Sequence, residues 1–151
     1  MKIILKKINN NNYVIKKKIL FFFKSLPFFK KKQKKYFIQQ IKGKFYFYNK
    51  IFVIAIIDSV IVGLAIATKP EGGVGTILWL IVKKSHYKNG IGTILIKKII
   101  KEYKNNKAHK IKVTTPIKKN IKFYKKFSFE IECYLKKHWW KKNFWQLSRK
   151  I

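Results

Sequence analysis

Tyr87-Lys88-Asn89-Gly90-Ile91-Gly92, running straight into Thr93-Ile-Leu-Ile-Lys-Lys-Ile-Ile-Lys-Glu-Tyr103, is the stretch that decides the fold. The apolar run Gly75 to Val82 precedes it and predicts a buried strand. Leu95, Ile96, Ile99, Ile100 and Tyr103 recur behind it at helical spacing and predict a helix from about Ile91 to Asn105. Strand, two-glycine loop and helix in succession gather backbone N–H groups at the positive end of a helix dipole. That combination predicts a cradle for phosphate oxygens.

Outward from the loop, the pattern alternates strands and helices. Lys2 to Ile8 predicts a first strand, followed by a polar turn at Asn9 to Asn12. Tyr13 to Gln40 is Lys-rich with embedded aromatics and reads as one or two helices broken at Pro27. Gly43 and the Phe-Tyr-Phe-Tyr run after it end that region. Ile51–Ile57 and Val60–Thr68 predict two strands joined at Asp58-Ser59, and Pro70 to Gly73 a loop. After the long helix come a short strand, Ile111 to Thr114, and a helix with Thr115 as N-cap and Pro116 at its first position. That helix is expected to place Ile117, Ile121 and Tyr124 on one face. Phe129 to Leu135 and Phe144 to Leu147 predict the last two strands. The fold class is therefore α/β with a mixed sheet, and the long helix is expected to cross between neighbouring parallel strands.

The chain has 151 residues, 48% of them apolar, which suits one domain over residues 1–151 with a sizeable core. Its formal charge is +32, from 37 Lys+Arg against 5 Asp+Glu. Arg149 is the sole arginine, and Lys, Ile, Asn, Phe and Tyr abound, which reads as A/T-rich codon usage. A dedicated nucleic-acid surface would favour Arg for its bidentate fork, so no specific nucleic acid is expected, only non-specific polyanion binding at low salt. Cys133 is the only cysteine, so no internal disulfide can form, and with no signal peptide evident a cytoplasmic protein is expected. Of two apolar runs, Leu20 to Phe29 is too short to span a membrane and is broken by Lys24 and Pro27, and Ile51 to Ala67 is the more tempting. Asp58 at its centre and its β-branched content favour a hairpin of buried strands instead.

Phe123-Tyr124-Lys-Lys-Phe-Ser-Phe129-Glu130 follows the loop by one strand and one helix. Together with the loop, it resembles the GNAT superfamily of acetyl-coenzyme A-dependent N-acetyltransferases, whose loop reads Arg/Gln-x-x-Gly-x-Gly/Ala. The downstream signature of that family resembles Phe-Tyr-x-x-x-Gly-Phe-Glu. The resemblance covers about Ile51 to Ile151, and the end from His138-Trp-Trp to Ile151 looks like the family's last hairpin. It implies a GNAT-like, largely antiparallel sheet flanked by helices, with acetyl-CoA as co-substrate and a primary amine on a protein or small molecule as acceptor. It also implies cofactor contacts at Leu80, Ile81 and Val82 for the pantetheine arm, and at Tyr87, Lys88, Asn89, Gly90, Ile91, Gly92 and Thr93 for the pyrophosphate. Tyr124 would be the catalytic acid that protonates the departing thiolate, and no nucleophilic Ser or Cys would be needed. Four positions depart from the family pattern. Tyr87 replaces Arg or Gln, Ser128 replaces Gly, Ile117 stands where many members carry a cofactor-contacting Asn, and Lys112 stands where some place a Glu base. Asn120 lies one helical turn after Ile117.

Other chemistry-bearing residues have plainer readings. His86, His109 and His138 show no metal-ligand spacing, and no metal is expected. Trp139 and Trp140 read as packing residues or as an acceptor groove, Tyr124 as core aromatic or acid, and Cys133 as structural. Asp58, Glu71, Glu102, Glu130 and Glu132 are the only carboxylates, and none falls where the family carries its base. An α-amino group, with a pKa of about 7.7–8.0, needs less help than a lysine amine at about 10.4, which favours a peptide N-terminus as acceptor. The alternative from a different class is a basic nucleic-acid- or ribosome-associated protein that keeps the fold without activity.

Overall fold

The computed structural model describes residues 3–8, 13–27, 30–43 and 48–151. Lys2, the turn at Asn9–Asn12 and residues 45–47 of the Phe-Tyr-Phe-Tyr run lie outside them. In chain order the elements are β1 (Ile4–Ile8), α1 (Tyr13–Lys24), α2 (Lys31–Lys42), β2 (Lys50–Ile57), β3 (Val60–Thr68), β4 (Val74–Val82), α3 (Ile91–Asn105), β5 (Lys110–Thr115), α4 (Lys118–Lys125), β6 (Glu130–Leu135) and β7 (Phe144–Lys150). The seven strands form one sheet in the order β1-β2-β3-β4-β5-β7-β6. β4 and β5 are parallel, with Val74 to Ile77 paired to Lys110 to Val113, and α3 is the crossover between them. β1 with β2, β5 with β7, and β6 with β7 are antiparallel.

Asp58 and Ser59 take φ of 47° and 64°, the primed turn that matches the twist of a two-residue hairpin. The run Ile51–Ala67 is therefore two adjacent strands. No helix among the described residues is long and apolar enough to cross a membrane.

The chain gathers into two compact units, Met1–Ile66 with Trp79–Ile99, and Ala67–Leu78 with Ile100–Ile151. In the first, α1 and α2 bury Ile19, Phe22, Phe23, Phe37 and Ile41, and the connection between them buries Leu26. Phe23 and Phe37 stack with centroids 5.0 Å apart, and Phe37 meets Trp79 edge-on at 4.1 Å. The broken-helix expectation holds: the helices stop at Lys24 and resume at Lys31, either side of Pro27.

In the second unit, Tyr103 is fully buried and its hydroxyl donates to the Thr68 carbonyl at 3.0 Å. Thr68 Oγ1 in turn accepts the Thr76 N–H at 3.0 Å. The Tyr103 ring fills the space where a side chain on Gly75 would stand.

The start of α4 differs from expectation. Its N-cap is Ile117, and Thr115 is the last residue of β5. Thr115 Oγ1 accepts the Ile117 N–H at 3.2 Å, a side-chain turn that spans two residues and keeps Pro116 outside the helix. Ile117 is exposed, so only Ile121 and Tyr124 of the expected trio face the core.

Gly75→Ala is expected to destabilise the protein by about 1–3 kcal/mol, because a methyl group there overlaps the Tyr103 ring. Urea unfolding checks this, with a lowered midpoint at unchanged m-value as the expected result.

Candidate active site

β4 delivers the chain to the glycine loop. Its ladder with β5 ends at Ile77, so Leu80, Ile81 and Val82 lie beyond that pairing. Ile81 is buried while Leu80 and Val82 are half-buried. The Lys83 N–H then donates to the Val62 carbonyl at 2.8 Å, and one 3₁₀ turn, Lys84–His86, follows. Lys88 and Gly90 both take left-handed backbone, with φ of 64° and 73°. Glycine adopts that conformation freely, whereas Lys88 bears strain there.

The Gly90 carbonyl accepts the Ile94 N–H at 3.1 Å and opens α3. The N–H groups of Ile91, Gly92 and Thr93 therefore have no acceptor one turn earlier in the helix. They supply the positive end of a 15-residue helix. Nothing lies within 4 Å of the position a Gly90 Cβ would take, so the cradle is open. Ile91 is 1% exposed, so it can offer a ligand only its backbone. A Cβ on Gly63 of β3 would lie 2.8 Å from Ile91 Cγ2 and 3.0 Å from Leu95 Cδ1. The missing side chain at Gly63 lets the first turns of α3 sit hard against the sheet, and so fixes the loop. Tyr87 is 52% exposed, so its ring does not anchor the loop in the core.

Tyr124 belongs to the second unit. It is 6% exposed, edge-on to Phe123 at 5.3 Å and to Phe129 at 5.7 Å. Burial pushes its hydroxyl above the ordinary tyrosine range, so it remains protonated at neutral pH. Its carbonyl accepts the N–H groups of Phe127 and Phe129, which closes the end of α4. Ser128, within that turn, has φ of 59° where the family signature has Gly.

Several sequence expectations resolve here. Asn120 Nδ2 donates to Thr115 Oγ1 at 3.1 Å and so braces the start of α4. Lys112 is half-buried in β5 opposite Ser148. Trp139 and Trp140 are 48% and 40% exposed, so they are rim residues and not part of the buried core. They sit in a one-turn 3₁₀ segment between β6 and β7, with Trp140 in left-handed backbone. Cys133 is exposed on β6. His109 and His138 are exposed and His86 half-buried, and no cluster able to hold a metal occurs among the described residues. Glu132 is held by Lys110 and by Gln146 at 2.8 Å, and these hydrogen bonds keep its carboxyl below the usual range.

One positioning residue was missed. Arg149 Nη1 donates to the Phe127 carbonyl at 2.7 Å and ties β7 to the turn that ends α4. The available signal was its singularity, as the one arginine among 37 basic residues.

Residues 19–129 match the Acetyltransferase (GNAT) family. The chain belongs to that family. Among solved structures, it is similar to the ribosomal-protein-S18-alanine N-acetyltransferase from Escherichia coli, at 11% identity and TM-score 0.79, over 99% of this chain and 94% of that one. It is also similar to the aminoglycoside 6′-N-acetyltransferase from Enterococcus faecium, at 18% identity and TM-score 0.76, over 97% and 96%. An aminoglycoside 6′-N-acetyltransferase complexed with coenzyme A aligns at 19% identity and TM-score 0.72, over 97% and 96%. At such identities these likenesses establish the GNAT fold alone. A comparison with curated proteins finds no match.

Ser128→Gly is expected to relieve left-handed strain and stabilise this GNAT chain by about 1 kcal/mol, raising Tm by about 2–4 °C. Thermal unfolding of the two forms checks it.

Proposed function

We propose that the protein is an N-acetyltransferase that moves an acetyl group from acetyl-CoA to a primary amine by direct attack, with residues 1–151 acting as one catalytic domain. The observation that carries this reading is the open backbone cradle from Lys88 to Thr93 at the N-terminus of α3, in a chain of the GNAT family.

The residues present fit the cofactor. Unpaired amides at a helix N-terminus suit a pyrophosphate, and the lysines of the loop region suit its charge. The backbone of Leu80, Ile81 and Val82, free of the β5 ladder, suits an extended amide-bearing arm. In this reading Lys88, Asn89, Gly90, Ile91, Gly92 and Thr93 hold the pyrophosphate through N–H groups. Tyr87 contributes backbone only. An N–H near Val82 polarises the thioester carbonyl. Acetyl-CoA supplies the activated acetyl group, and Tyr124 supplies the proton for the leaving sulfur. Its hydroxyl is protonated at neutral pH, as a proton donor must be, although the burial that raises its pKa makes it a weaker acid than a free tyrosine.

The acceptor amine must lose a proton. Among the described carboxylates, Asp58, Glu71, Glu130 and Glu132 are exposed, and Glu132 is engaged by Lys110. A peptide N-terminus, with its low pKa, asks least of such a site.

Two measurements test the reading. Acetyl-CoA is expected to raise Tm, and mass spectrometry of an amine panel is expected to show acetylated peptide N-termini ahead of internal lysines. No thermal shift at millimolar acetyl-CoA, with salt-sensitive RNA binding, would favour the non-catalytic binding protein instead. Acetylation of internal lysines alone would reject the acceptor. Tyr124→Phe is expected to lower kcat roughly 10²-fold while the acetyl-CoA thermal shift persists. Unchanged kcat would remove Tyr124 from the mechanism.

A further inference from the structure

A groove of about 570 Å³ opens beside α1, bordered by the β2–β3 turn and the end of β4. All its lining residues belong to the first compact unit. Leu20, Phe21, Phe22, Val60 and Ile61 make an apolar floor, and Lys17, Lys18, Lys24 and Lys83 stand around it. Phe21 is 70% exposed and Val60 47%, a large apolar area to leave in water. Among the described residues no carboxylate lines the groove, and none pairs with those four lysines. Asp58, exposed in the adjoining turn, is the nearest acid in sequence.

The proposed activity leaves this groove without a role. Its volume is that of a small-molecule site. Lys17 Nζ lies 4.5 Å over the Tyr13 ring, but the ammonium groups of Lys18, Lys24 and Lys83 call for an anion, and the apolar floor calls for a hydrocarbon body. Among the described residues, the one polar side chain in the lining apart from the lysines is Ser59. A docked peptide would bring amides that this lining leaves without partners, at a cost for each one buried. An alkyl chain brings none. We propose that the groove is a binding site for a fatty carboxylate, with its head among Lys18, Lys24 and Lys83 and its tail along Phe21, Phe22, Val60 and Ile61.

Titration calorimetry with sodium decanoate, below its micellar range, tests this on the full chain. One molecule is expected to bind per protein. Dodecanoate is expected to bind about fifteenfold tighter, since two further methylenes are buried. Decanol, which lacks the charge, is expected to bind at least tenfold more weakly than decanoate. Phe21→Ser and Val60→Asp change exposed side chains, so the fold survives them, and each is expected to weaken decanoate about tenfold. Both variants should keep the acetyl-CoA thermal shift. Several equivalents bound without dependence on chain length would mean general coating of a cationic surface and overturn the site. Competition by coenzyme A would overturn it as a separate site, by assigning the groove to the cofactor. Failure of acetyl-CoA to bind at all would strike the proposed enzyme activity and leave the fatty-acid site standing.

Discussion

The absence of a side chain at Gly63 sets the position of α3, and α3 carries the candidate cofactor loop. Ile91 Cγ2 and Leu95 Cδ1 stand where a Gly63 Cβ would need room. The first turn of the helix therefore rests on β3 through packing alone. Ile91 is the pivot: its side chain is fully committed to the core, while its N–H remains with the unpaired amides of the helix start. Core packing thus fixes where the anion cradle lies, and backbone conformation fixes its shape.

A second close approach governs the other unit. Gly75 yields its space to the ring of Tyr103, whose hydroxyl is satisfied by the Thr68 carbonyl. The end of α4 rests on polar bracing instead. Thr115, Asn120 and Arg149 hold the start and finish of a helix of only eight residues. Such a short helix has little stability of its own, so these contacts supply what length cannot. Tyr124 inherits its position from them.

The high charge bears on the surface more than on the fold. Few carboxylates oppose the lysines, so local fields are set by backbone dipoles and by clusters of ammonium groups. The hydroxyl of the candidate acid Tyr124 is shifted by burial alone, with no neighbouring charge to bring its pKa down.

The sequence by itself determined the order and type of the elements. Ile and Val runs made β2, β3 and β4 legible, and a stripe of apolar residues made α3 legible, because period and β-branching act within a few residues. The two glycines of the loop and the Phe-Tyr run were legible for the same local reason, and they carried the family resemblance. Only the tertiary structure decided the rest. Thr115-Pro116 has the local chemistry of a helix start, yet Thr115 stays in the sheet because its backbone pairs with Trp145. Trp139 and Trp140 are apolar enough for a core, yet they lie partly exposed in the connection between β6 and β7, because β6 is the last strand of the sheet. Gly63, Gly75 and Arg149 act on partners 28, 28 and 22 residues away along the chain. Contacts at that separation leave no periodic trace in the sequence, because they depend on which elements the fold brings side by side.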